Sequence, residues 1–490
     1  MLFNSWHFAV FFPTVAILHF LLPYRQRWML LLVASYVFYM FSVPAYALLL
    51  VVSTLIDYSL GRAMARTGDR RTRIRYLVAS LTSNLGLLFT FKYFNFFAES
   101  FEALGQWVGV SFVAPHSDLI LPVGISFYTF QTLSYSIDVF RGRHAPEKHL
   151  GRYALFVAFF PQLVAGPIER SSNLLPQIRE KHDFDYERIA GGLKLMGWGL
   201  FKKVVVADHL ATLVNAVYNE PSGLVGFHFT LATLFFAFQI YCDFSGYSDM
   251  AIGAAQVLGY RLMINFDRPY LARSISDFWS RWHISLSSWF RDYLYIPLGG
   301  SRVAVPRWYL NLLIVFLISG LWHGAQWTFV IWGALHGGYL VFALATRPHR
   351  ERMARSLGLE RFGRLHSLLQ GLTVFGLVCF AWIFFRANSL GEALYAVSHL
   401  GEGWSELLQP GGLRLARKQM GVSDRYLATA GILIVSLLIA ERKPARERGQ
   451  WRNMFAGQHW SLRWSFYAAV VLAVINLGAP KQQPFLYFQF

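Results

Sequence analysis

Two histidines, His283 and His323, carry the clearest chemical potential in this sequence, because each sits in apolar surroundings. An imidazole exchanges a proton near neutral pH, so a buried histidine can act as a general base toward a hydroxyl. His323 lies in SGLWHGAQW, residues 319–327, between the apolar runs Leu310 to Ile318 and Thr328 to Leu335. Gly320 and Gly324 leave the backbone free to bend and let another group approach the ring. On these residues alone a second reading stands beside the chemical one: two hydrogen bonds satisfy a neutral imidazole that merely packs.

Upstream, SDFWSRWHISLS (residues 276–287) places Trp279, Trp282, His283 and Leu286 on one face at about 100° per residue, with Ser280, Arg281 and Ser288 elsewhere. This predicts one amphipathic helix, either an interfacial helix with a tryptophan belt or a wall carrying a reactive histidine. The sequence Pro297-Leu-Gly299-Gly300 then breaks it. A third polar run, Gln239 to Asp249, interrupts an apolar stretch with Asp243, Ser245, Tyr247, Ser248 and Asp249. Asp243 or Ser245 would serve as the N-cap of a helix beginning near Tyr247; otherwise these groups line a polar pocket. Ionisable groups at membrane depth are costly and mark function, and here they concentrate between about residues 239 and 336.

Several chemistries are excluded. Zinc spacings of the H-E-x-x-H or paired-cysteine kind are absent. His323 and His336, 13 positions apart (336 − 323), would lie about 220° apart on one helix, so no metal site is expected. There is no G-x-S-x-G elbow, P-loop or dinucleotide fingerprint.

The elements that position these residues must be membrane helices. The chain has 490 residues, of which 55% are hydrophobic and only 15% charged, against about 25% charged in soluble domains. Its mean hydropathy is +0.37. Two cysteines, Cys242 and Cys379, sit in apolar stretches and read as free core thiols. The net charge of +18 forms no basic stripe with interleaved aromatics, so it reads as a positive-inside bias and not as a nucleic-acid surface. The first 24 residues lack Lys and Arg, so they read as a first span and not as a signal peptide.

Candidate spans centre on residues 8–23, 28–42, 44–60, 76–97, 119–139, 153–166, 190–216, 225–243, 245–264, 309–322, 326–346, 367–386, 426–440 and 464–478. Those interrupted at Phe160-Pro161 or Ala165-Gly166-Pro167 are expected to be re-entrant or interfacial. Arg25 and Arg27, then Arg62 to Arg75, then Arg141 to Arg152 place three loops in the cytoplasm; the uncharged 43–44 turn and the acidic 98–118 loop lie outside. The N-terminus is therefore expected outside. Basic runs at Arg347 to Arg364 and Arg442 to Arg452 are assigned to the cytoplasm as well. No internal repeat or separate soluble segment is visible, so residues 1–490 read as a single helical membrane domain.

The strings YCDFSGYSDM (241–250), DFWSRWHISL (277–286), RDYLYIPLGG (291–300) and LWHGA (321–325) resemble the membrane-bound O-acyltransferases, in the bacterial branch that includes alginate O-acetylases and teichoic acid D-alanyl transfer proteins. LPVGISFYTF (121–130), FPQLVAGPI (160–168), FKK (201–203), WIFFRA (382–387) and the terminal PFLYFQF (484–490) extend the similarity over nearly the whole chain. The resemblance implies an all-α polytopic fold of roughly 11–14 membrane or re-entrant helices around a thinned centre with a tunnel, with a catalytic core over about residues 120–345. It implies His323 as catalytic and His283 as a second catalytic position facing the same tunnel, with Asp243, Ser245, Tyr247, Asp249, Asp277 and Trp282 in the substrate-binding wall.

What the resemblance implies for activity is transfer of an acyl group, acetyl first, from a cytoplasmic thioester to a hydroxyl of an exported polysaccharide, with His323 as general base. His283 would orient the donor or stabilise the oxyanion. Acetyl-CoA or an acyl carrier protein would be the donor substrate, with no bound cofactor, and cationic loops would attract either acidic donor. A periplasmic acyltransferase of the polysaccharide machinery is the expected partner, and the bacterial inner membrane the expected location. A covalent acyl-histidine and hand-over to a hydroxyl of a partner protein are both open. So are a lipid or protein acceptor and D-alanyl transfer to teichoic acid. A transporter is the rival from another class, since broken helices with midplane polar groups also suit translocation; the absence of an inverted repeat and the clustering of polar residues in one third of the chain count against it.

Overall fold

Long apolar runs broken by glycine, proline and buried charge dictate helices of very unequal length. The structure, a computed structural model, describes residues 1–41, 43–441, 459–477 and 484–486, and among these every regular element is helical. Seven of these helices are long and apolar enough to cross a membrane: Pro44–Arg66, Arg70–Trp107, Gly226–Leu258, Val305–His323, Trp327–Ala345, Gly363–Arg386 and Trp460–Leu477. An eighth exists if Gly412–Gln419 and Asp424–Ala440, bent by 84° at their junction, count as one span. The basic run Arg442 to Arg452 and the terminal residues 487–490 lie outside the described residues.

The other expected spans are shorter or broken elements. The apolar helix Trp6–Leu21 has 16 residues and is capped by Ser5, whose side chain accepts from the Phe8 backbone. The 153–166 stretch divides into Leu150–Ala158 and Phe160–Leu163, with Pro161 in the first turn of the second piece. The 190–216 stretch becomes Tyr186–Leu200, a π-helical segment Phe201–Ala207 and Asp208–Tyr218.

Two expectations are corrected. The spans drawn at 225–243 and 245–264 form one helix of 33 residues, Gly226–Leu258, so neither Asp243 nor Ser245 is an N-cap. Both side chains are satisfied sideways by lysines (below), which removes any need for the helix to end there. The helix drawn through 276–287 instead breaks into Ile275–Arg281 and Ile284–Phe290, with His283 between them in the left-handed region at φ 43°, ψ 54°. The break expected at Pro297 to Gly300 is present, with Gly299 and Gly300 both at positive φ.

The chain groups into two compact units, Met1–Gly197 with Tyr247–Ile264, and Trp198–Gly246 with Asn265–Phe490. In the first, Ala47–Arg66, Arg70–Leu88 and Ile125–Phe140 pack together around buried Asp57. The Ser80 hydroxyl donates to Asp57 at 2.6 Å, and the Asn84 amide donates to both carboxylate oxygens at 2.9 and 2.8 Å. Ser53 and Thr132 in turn donate to the Asn84 carbonyl oxygen.

In the second unit, Val305–His323 and Trp327–Ala345 form a tight antiparallel pair. A Cβ on Gly320 would lie 2.2 Å from the Phe329 carbonyl oxygen, and one on Gly333 would lie 2.3 Å from that of Phe316. Both positions therefore require glycine, in the small-residue manner of membrane helix pairs. Gly320 thus serves the helix contact, not the access to the histidine ring that its position suggested.

Candidate active site

The second unit brings His283 and His323 together although 40 residues separate them in sequence (323 − 283): their ring centroids lie 6.4 Å apart. His323 is the last residue of Val305–His323, followed by extended Gly324, and is 3% exposed. His283 is fully buried, at 0% exposure. Its left-handed backbone costs a non-glycine residue about 1–2 kcal/mol, a strain typical of functional sites held in place by their surroundings. The clamp is visible. Asn265 accepts the Ile284 N–H on its backbone oxygen at 3.0 Å, and takes the Ser285 N–H and hydroxyl on its side-chain oxygen at 3.3 and 2.7 Å. On the other side, the Trp282 N–H closes the preceding helix on the Phe278 carbonyl at 2.8 Å.

Aromatic rings wall the pair. Phe244 stands edge-on to His283 at 4.6 Å, and Trp322 is 5.8 Å from it. His323 meets Trp332 at 5.0 Å and Phe385 at 5.5 Å. Trp282 is buried behind them against Phe266, Phe278 and Trp382. His336 takes a separate place, accepting from the Trp279 indole at 3.3 Å. Centroids 6.4 Å apart put the two imidazoles within reach of one substrate molecule, to which each can hydrogen-bond. In a water-poor aromatic enclosure such bonds count for more than in water, so the pair can take a proton from a hydroxyl and stabilise charge developing on an adjacent oxygen.

The remaining expected wall residues are dispersed. Asp243 and Ser245 belong to a buried ionic cluster. Lys203 Nζ lies 2.5 Å from Asp243 and 2.9 Å from Asp208, while Lys202 Nζ donates to Ser245 at 2.8 Å and lies 3.8 Å from Glu441. The Leu486 N–H donates to the second Asp243 oxygen at 2.9 Å, and Tyr241 donates to Glu441. The cluster reaches the histidines through Phe244, the residue after Asp243. Asp277 instead faces Arg281 at 2.7 Å and the Arg273 N–H at 3.2 Å, half-exposed in the first turn of its helix. Tyr247 and Asp249 fall in the other unit, where Tyr247 stacks on Phe3 at 4.6 Å.

At the candidate site stand also Lys202, Lys203, Phe244 and Phe385, which the sequence offered only inside the family strings and without a role, and Asn265 and Trp332, which it did not single out. For the lysines a signal existed: two adjacent cations inside an apolar stretch must be paired to be tolerated. The π-helical segment lets both turn inward, a distortion frequent near functional sites.

Helices of membrane-spanning length and an enclosed histidine pair, one member on a strained backbone, describe a membrane protein with a buried polar site. The model of the MBOAT, membrane-bound O-acyltransferase family matches residues 116–385. The chain is 40% identical over 411 residues to a probable alginate O-acetylase of Azotobacter vinelandii, covering 83% of this chain and 79% of that protein. It is 34% identical over 537 residues to a peptidoglycan O-acetyltransferase of Helicobacter pylori, covering 100% and 98%. A teichoic acid D-alanyltransferase of Streptococcus thermophilus is 30% identical over 232 residues, covering 45% and 56%. The chain belongs to the membrane-bound O-acyltransferase family and is a multi-span membrane O-acyltransferase.

Proposed function

We propose that the protein moves an acetyl group from a cytoplasmic thioester, acetyl-CoA or an acyl carrier protein, to a hydroxyl of an exported polysaccharide. The observation that carries this reading is the buried pair His283 and His323 with centroids 6.4 Å apart, in a chain whose long relatives are named O-acetylases. His323 takes the proton of the acceptor hydroxyl as its oxygen attacks the thioester carbonyl. The C–S bond breaks, the thiolate leaves with the proton held by His323, and an ester and a free thiol result. His283 orients the donor or binds the carbonyl oxygen as it becomes negative. Asp243, held by Lys203, positions Phe244 against His283. Ser245 and Trp282 are proposed wall residues. The enzyme works in the bacterial inner membrane with its N-terminus outside, a reading supported by the arginines of the alternate loops. A periplasmic acyltransferase takes part on the outer side.

The test compares alkali-labile ester on envelope and secreted polysaccharide in cells carrying the wild type, His323→Ala at equal membrane level, or a deletion. Ester should fall to the deletion level in the point variant, and the acid released from wild type should be acetic. Ester retained by the point variant rejects the general base, another acid rejects acetyl, and ester retained by the deletion rejects the polysaccharide acceptor.

A further inference from the structure

In the first unit, where Trp6–Leu21 turns through Leu22 and Pro23 into Tyr24–Met40, a cleft of about 80 Å³ is lined by His19, Tyr24, Arg25, Arg27, Trp28 and Arg152, among others. Three guanidinium groups and a second imidazole, His182, share it with one carboxylate, Glu180. Such a lining suits an anion. Arg27 is held in place by Nε donating to the Leu22 carbonyl at 3.1 Å and Nη1 donating to that of His182. Those bonds employ two of its five donors. The Trp28 ring lies so close over Gly151 that a Cβ there would sit 2.2 Å from it, which fixes the aromatic wall beside Arg152.

Two polar groups in the lining lack partners. His19 is 1% exposed, and although its ring lies beside the Leu258 backbone, neither nitrogen reaches a partner in hydrogen-bonding geometry. The buried Arg152 Nε is likewise without one. Buried donors left this way call for a bound group. Burial first, and the fields of Arg188 and Arg27 with it, hold the His182 imidazole below its ordinary value, a field that an anion in the cleft would relieve.

The surroundings indicate the source of that anion. Val10, Ile17 and Leu21 form one exposed apolar stripe along Trp6–Leu21, 70%, 60% and 74% exposed. At about 100° per residue His19 lies on the face opposite that stripe, so this helix has exposed apolar surface on one side and the cleft on the other, where Tyr24 and Trp28 supply the amphipathic rings typical of a membrane interface. Basic pockets between membrane helices are suited to lipid phosphates. We propose that this cleft binds the phosphate of an anionic glycerophospholipid, with Arg27, Arg152 and His19 on the headgroup.

The full-length protein in detergent, given phosphatidylglycerol or phosphatidylcholine and read by native mass spectrometry, tests this. Phosphatidylglycerol should be retained on the order of tenfold better, as expected for one or two charge-assisted hydrogen bonds. Arg27→Gln with Arg152→Gln should remove the preference, while Arg27→Lys with Arg152→Lys keeps part of it. If the double glutamine variant does not fold, two milder changes serve instead. Arg25→Gln, at an exposed position, and His19→Leu, which alters no formal charge, should each lower retention severalfold. Displacement of phosphatidylglycerol by inorganic phosphate or coenzyme A would assign the site to a soluble phosphate and overturn the lipid reading. Equal retention of both lipids, or no effect of the variants, overturns the site itself. Binding is read without ester formation, so its failure is distinct from failure of the proposed acetyl transfer.

Discussion

Around Asp57 the buried polar atoms serve as donors and acceptors for one another, whereas around His283 and His323 they are walled by aromatic rings. In the first region Ser80, Asn84, Ser53 and Thr132 close a network on three packed helices, and both carboxylate oxygens are used. In the second, Phe244, Trp322, Trp332 and Phe385 surround two imidazoles, and one of those sits on a strained backbone. The lesson is a difference of purpose. Polarity consumed internally holds helices in register, while an imidazole pair set among aromatic rings, with one member on a strained backbone, is an arrangement that helix packing alone does not require.

Breaking each side of this contrast should have a different signature. The largest effect belongs to His323→Ala: ester formation should fall roughly 10²–10⁴-fold, the range of general-base catalysis, with little change in thermal midpoint. Activity assays on purified protein beside a melting curve check it. Next comes Lys203→Met, which leaves the buried Asp243 and Asp208 carboxylates facing each other and should cost about 3–5 kcal/mol. A double-mutant cycle with Asp243→Asn should show strong coupling, and additive losses would contradict the pairing.

Asp57→Ala should cost about 1–3 kcal/mol by leaving Asn84 and Ser80 donors unmatched, while activity per folded molecule stays unchanged. A fall in activity at constant folded fraction would give the Asp57 network a catalytic part and erase the contrast. His283→Gly and His283→Ala should both lose activity, but the glycine variant should be the more stable by about 1 kcal/mol, because only it relieves φ 43°.

The smallest effect concerns Glu169, which accepts from Asn173 and the Met263 N–H. Burial raises its acid from 4.5 to about 7. The native state therefore binds a proton that the unfolded state has released, and stability should decline as pH rises from about 4.5 through about 7. Melting of wild type and Glu169→Gln across that window should differ by at most a few degrees, with the gap opening in favour of glutamine at the higher pH.

Part of the candidate site was readable in advance. His323 between two apolar arms, His283 among tryptophans and the polar run at 239–249 all announced themselves, because unlike residues in an apolar stretch stand out locally. What failed to show is how those groups are satisfied. A cap at Asp243 or Ser245 and a lysine beside them are equivalent by local pattern, and the lysine is 40 residues away (243 − 203). The amphipathic face drawn through Trp279, Trp282, His283 and Leu286 assumed a continuous helix; Asn265 ends it by holding Ile284 and Ser285 from outside.

The sequence by itself determined that the chain is a helical membrane protein, which of its residues are too polar for their surroundings, and which family its strings resemble. Hydropathy and motif identity are local, so they survive without coordinates. Only the tertiary structure decided that Gly226–Leu258 is one helix, that Lys202 and Lys203 turn inward, and that the two histidines meet in one aromatic enclosure. Each of those outcomes depends on a partner far along the chain, and a buried polar group takes whichever conformation lets it reach that partner, since leaving it unpaired costs more than bending the backbone.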